Sequence, residues 1–150
     1  MLAAAVVLAS LSACDAVNTH QGAIAISVDQ GRLLFAVCES IVTSGMHAEY
    51  RTLGAQDSWV SFLEVTGTVE LASGQPVSVE GATELFDEVV EAFEPELATG
   101  SQVSLAVYSS DKTEANFTAA FDLEKLDFED GFWLHPDGSR TRFACPASSN

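Results

Sequence analysis

The sequence predicts a mainly β or α+β domain, an antiparallel sheet or sandwich of about seven to eight short strands with one helix near residues 82–94. Three observations carry that expectation. Short segments alternate apolar and polar residues with a period of two, as half-buried strands do. Turn residues separate these segments at intervals that suit a sandwich. One segment alone has convincing helical periodicity. With 150 residues, 47% of them apolar, and nine Phe, two Tyr and two Trp, the chain is long enough for one domain with its own core.

The elements follow in order. Ile24, Ile26 and Val28 share one face of a first strand, Asp29-Gln30-Gly31 makes a turn, and 32–38 (RLLFAVC) forms a second strand, giving a hairpin. Residues 39–56 carry no clear period, and Gly45 and Gly54 interrupt them. Strands are expected at 58–65 (SWVSFLEV), 68–71 and 77–80, with Ser73-Gly74-Gln75-Pro76 as the turn before the last. From Ala82 to Glu94, the residues Leu85, Phe86, Val89, Val90 and Phe93 fall in an arc of about 140° on a helical wheel. Glu84, Asp87, Glu88, Glu91 and Glu94 fill the other side, Gly81 or Thr83 stands at the start, and Pro95 blocks continuation. Val103, Leu105 and Val107 alternate in a further strand, as do Phe117, Ala119, Phe121 and Leu123. A final hairpin pairs 132–134 with 140–143 around His135-Pro136-Asp137-Gly138-Ser139.

Charge limits the partners. Asp and Glu number 22 against six Lys and Arg, a net charge of −16. No stretch can neutralise a phosphate backbone, so nucleic-acid binding is excluded, and a polybasic membrane patch with it.

Residues 1–13 (MLAAAVVLASLSA) are apolar and uncharged, too short to span a bilayer yet matching the apolar region of a signal peptide. Leu11-Ser12-Ala13-Cys14 resembles the lipobox of bacterial lipoproteins at all four positions. The resemblance implies a diacylglycerol on the Cys14 thiol and cleavage just before it. It covers only the processing segment and speaks of place, not activity. The positively charged stretch that opens such signals is missing, since Met1 leads straight into Leu2; the expectation is an upstream start codon or a truncated chain. Ordinary signal-peptidase cleavage after Ala13 would set Leu11 where a small residue is wanted. An Ala-rich composition with four Arg to two Lys resembles small envelope lipoproteins of high-GC Gram-positive bacteria.

The expected organisation is then a signal peptide at 1–13, a lipidated Cys14 and tether at 14–22, a globular domain at 23–146 and a loose tail at 147–150. With Cys14 lipidated, Cys38 and Cys145 remain as a pair in an oxidising compartment. A bond between them would close nearly the whole domain, worth up to about 4.7 kcal/mol for a loop of about 100 residues. Two free buried thiols are the alternative. A CxxC motif, the usual mark of thiol redox chemistry, is absent.

Motifs for chemistry are missing too: the chain has no GxSxG, P-loop, GxGxxG or HExxH. His20, His47 and His135 stand apart in sequence, with no i,i+4 partner that would build a zinc face. Asp127, Glu129 and Asp130, beside Gly131, are weak candidates for Ca²⁺ ligands, although the EF-hand spacing is not there; a plain turn is the competing reading. Trp59, Trp133 and Phe132 would serve either as a platform for sugars or as core. No cofactor is implied.

The function expected from sequence is a non-catalytic binding or envelope-interaction domain, anchored through Cys14 at the extracytoplasmic face of the cell membrane. Its partner would be an envelope protein or wall component, with divalent cations bridging acidic surfaces. Two alternatives stand beside it: a secreted hydrolase whose site assembles from loops, and an acidic domain that binds divalent cations.

Overall fold

The computed structural model describes residues 19–20, 23–52, 54, 58–97, 100–111, 116–123 and 131–145. Strand formation dominates, as the alternating segments predict. Among the described residues, one sheet has six strands: β1 (Thr19–His20), β4 (Ile41–Thr52), β5 (Val60–Leu71), β7 (Glu88–Ala92), β8 (Ser101–Ser109) and β9 (Asn116–Asp122). Their spatial order is β1-β9-β8-β4-β5-β7. The second sheet holds β2 (Ile24–Asp29), β3 (Arg32–Val37), β6 (Val77–Ser78), β10 (Trp133–Leu134) and β11 (Arg140–Thr141), in the order β11-β10-β2-β3-β6. Every pairing is antiparallel except that of β1 with β9.

Side-chain alternation explains how the sheets meet. Ile24, Ile26, Leu33, Phe35 and Val37 from one sheet join Met46, Ala48, Leu63, Val65, Val103, Leu105, Val107, Phe117 and Phe121 from the other in a single buried cluster. A smaller cluster lies on the far face of the five-stranded sheet, where Ala25 and Ala36 are covered by Trp133 and Ala144, with Leu34 and Cys145 beside them. The Cys38–Cys145 disulfide closes this cluster, its Cα atoms 5.2 Å apart across a sequence separation of 107.

The β2–β3 hairpin forms as expected. Gln30 and Gly31 both take positive φ (50° and 78°), the conformation of the two-residue turn whose twist matches its strands. Residues 39–56, which have no readable period, mostly form β4. The register shifts between Thr43 and Gly45, and a Cβ at Gly45 would stand 2.7 Å from the Val65 carbonyl oxygen. That bulge hides the alternation. The strands expected at 58–65 and 68–71 are one continuous strand, β5, running through Gly67.

The helix is the main correction. Helix α1 spans Val79–Leu85, capped by Ser78, whose hydroxyl accepts from the Gly81 amide at 2.9 Å. It begins where a strand over 77–80 was expected, and stops well short of residue 94. Glu88–Ala92 is instead β7, which pairs with β5 from Leu63 to Thr66. Backbone hydrogen bonding decides the matter: without β7 the outer edge of β5 would lack partners, and Val89-Val90 are β-branched. The expected tether at 14–22 also contributes structure, since Thr19 and His20 pair with Asn116 and Phe117.

Candidate functional site

The outward face of the six-stranded sheet carries the richest polar chemistry. Register sets His47 of β4 directly between Ala106 of β8 and Glu64 of β5, and Glu64 opposite Glu91 of β7. His47 Nε2 lies 3.1 Å from Glu49 Oε1 on the same strand. Two residues along, Gly45 sits between Tyr108 and Thr66, and the Thr66 hydroxyl donates to Glu88 Oε2 at 3.3 Å. Together, Ser44, His47, Glu64, Thr66 and Tyr108 line an open groove of about 320 Å³. A second hollow of about 330 Å³ is lined by Ser104, Thr118, Ala120 and Pro136. Near one end of the face, Arg51 donates to Gln102 at 2.8 Å and stacks over Trp59 at 4.7 Å from the ring centre.

His135 is engaged structurally in the last hairpin. Its Nε2 is 2.7 Å from Thr141 Oγ1, and that hydroxyl donates to the Phe143 carbonyl at 2.7 Å. Because the Thr141 proton is committed to Phe143, the hydroxyl accepts from His135 Nε2–H, a bond that the neutral Nε2–H tautomer and the protonated ring both make. Burial lowers the His135 pKa below its ordinary 6.5, and the nearby Asp137 carboxylate opposes this only in part. Asp137 is lowered too, first by hydrogen bonding with the Ser139 side chain and then by the Ser139 amide, which donates to Oδ1 at 2.8 Å. The pair His135 and Thr141 therefore ties the hairpin and does not form a base and nucleophile.

The aromatic platform does not assemble. Trp133 is buried in the cluster behind the five-stranded sheet, Phe132 lies under Arg142 at 5.6 Å, and Trp59 precedes β5 in the other sheet. Cys14 and the candidate calcium ligands Asp127, Glu129 and Asp130 lie outside the described residues, as does the side chain of His20. Among the described residues, no three His, Cys, Asp or Glu side chains come together in a way that would hold a metal ion. No helix among them is long and apolar enough to cross a membrane.

Sequence reasoning missed the outer edge of β7. All five of its residues are exposed, and Val89 (45%), Val90 (58%), Leu85 (44%) and Phe93 (41%) stand in solvent around it. The signal available was the β-branched pair Val89-Val90 shortly before Pro95, which the helical period concealed. Compared with protein-family models, curated proteins and solved structures, the chain matches none.

Proposed function

We propose that this chain is an exported bacterial lipoprotein, anchored by a lipid on Cys14, whose sandwich is a binding domain for a protein or wall component of the cell envelope. The observation that carries the reading is the Cys38–Cys145 bond. It accounts for two of the three cysteines and leaves Cys14, the last residue of the lipobox-like Leu11-Ser12-Ala13-Cys14, as the third. Disulfides persist where proteins are exported, and lipobox cysteines are modified there. A single acyl modification gives only marginal membrane affinity, so a diacylglyceryl group is the anchor that fits stable attachment.

Intact mass of the chain from its host's membrane fraction, measured with and without reductant, tests the proposal. The expected species starts at Cys14, carries a diacylglyceryl adduct and gains two hydrogens on reduction. A chain that retains residues 1–13, or whose Cys14 thiol is free, overturns the anchor.

A further inference from the structure

We propose that β7 is a docking edge for an extended segment of a partner protein in which Lys or Arg alternates with apolar residues. The proposal rests on the reading of the domain as a binding module and names the chemistry of its partner.

β7 ends the six-stranded sheet, and among the described residues it pairs with β5 alone. Its other side therefore offers backbone N–H and C=O groups to an incoming strand. Exposed edges of this kind are usually shielded by Lys, Pro or a covering element. Here the edge is flanked by apolar Leu85, Val89, Val90 and Phe93, with acids between them.

The register says how those side chains are sorted. Glu88 lies opposite Thr66 and Glu91 opposite Glu64, while Val89 and Ala92 lie opposite the buried Val65 and Leu63. Glu88 and Glu91 are three residues apart, yet they share the outward face because Val90 is an extra residue at the register shift. The bulge thus re-phases the strand, placing two acids on one face and apolar surface on the other. A regular strand added alongside meets this with basic residues at every second position and apolar ones between. A second copy of the chain is the wrong occupant. Antiparallel pairing of β7 with itself brings Glu88 and Glu91 against the same acids, on molecules that each carry −16.

Strand order agrees with this presentation. The N-terminal strand β1 and the docking edge β7 are the two opposite margins of the sheet. Five interstrand spacings of about 4.8 Å separate them, roughly 24 Å, so a tether entering at β1 leaves β7 on the far side.

The test uses the full chain purified from membranes and a blocked octapeptide alternating Lys and Val. The same peptide N-methylated at alternate residues keeps charge and apolarity but cannot pair as a strand. We expect the first peptide to bind and to protect the amides of Val89–Ala92 from exchange, and the methylated one to fail. Glu88→Lys with Glu91→Lys should weaken binding about tenfold, by turning opposite-charge cross-strand pairs into like-charge ones. Asp29→Lys with Glu70→Lys, the same charge change elsewhere, should leave binding close to that of the parent chain. Equal binding by the methylated peptide, equal weakening by the two variants, protection away from β7, or no binding at millimolar peptide would each overturn the edge. A failed edge with an intact Cys14 adduct removes the docking proposal alone; a missing adduct removes the anchor alone.

Discussion

Gly67 of β5 and Asp87, the residue before β7, approach so closely that a Cβ on Gly67 would stand 2.8 Å from the Asp87 backbone nitrogen and 2.9 Å from its Oδ2. Gly67 also holds a φ of +139°, open in practice only to glycine. This contact guides the chain from α1 into the edge strand. Gly67→Ala is therefore expected to cost about 1–3 kcal/mol, through backbone strain and displacement of Asp87. Urea denaturation measures the loss, and faster amide exchange at Val89–Ala92 than at β8 would locate it. A variant with parent-like stability and exchange would contradict the close packing.

Removing the cross-link should be more costly. Cys38→Ala with Cys145→Ala is expected to lose about 2–5 kcal/mol, since the closed loop takes in most of the domain. The sulfurs also pin the small cluster in which Trp133 covers Ala25 and Ala36. A red shift in Trp fluorescence at low denaturant, ahead of the main transition, would report that this cluster opens first.

Acid should weaken the last hairpin. The folded-state pKa of His135 lies below its ordinary 6.5, so folding favours the neutral ring; its contribution is complete above 6.5 and falls as pH drops toward the folded value. Asp137 is likewise lowered from 3.8, so its contribution holds above 3.8 and is lost as pH falls further, through the folded value. Both groups act in the same direction, in successive windows. An NMR titration should place the His135 midpoint below that of a free histidine, and amide exchange at Gly138 and Ser139 should quicken as pH falls through each window, after correction for the intrinsic rate. A His135 midpoint above 6.5 would contradict the burial argument.

One hydroxyl works against the fold. Ser61 Oγ is buried and has no hydrogen-bond partner among the described residues, on the strand opposite Glu49. Ser61→Ala deletes an unsatisfied polar group at little cost in packing, and should raise stability by about 1 kcal/mol. A rise in the thermal midpoint checks it; a fall would mean that the hydroxyl is satisfied.

How far the sequence could be read depended on whether its periods were unbroken. The β8 and β9 strands alternate cleanly around Val103, Leu105, Val107, Phe117 and Phe121, and Gln30-Gly31 marks its hairpin by turn chemistry alone. The β4 strand was opaque because the bulge at Gly45 shifts the alternation by one residue. The segment from Leu85 to Phe93 misled for a related reason. Apolar residues around a short helix, a turn and a bulged edge strand happened to repeat with helical spacing, and beside the β-branched Val89-Val90 it is the unmet hydrogen bonds of β5 that favour the strand. The Cys38–Cys145 pairing was legible from counting, whereas the outer edge of β7 depends on strand order, which no local pattern encodes.

The cross-link also determines what proteolysis does to this molecule. Strands β4 to β11 and helix α1 all lie between Cys38 and Cys145, so the ring they close contains every loop after the first hairpin. A single cut in any of those loops opens the ring without releasing a fragment. The two pieces stay joined through sulfur, with the sandwich core still holding them in register. Such a nicked chain would run as one species on a denaturing gel and separate into two only when reductant is added.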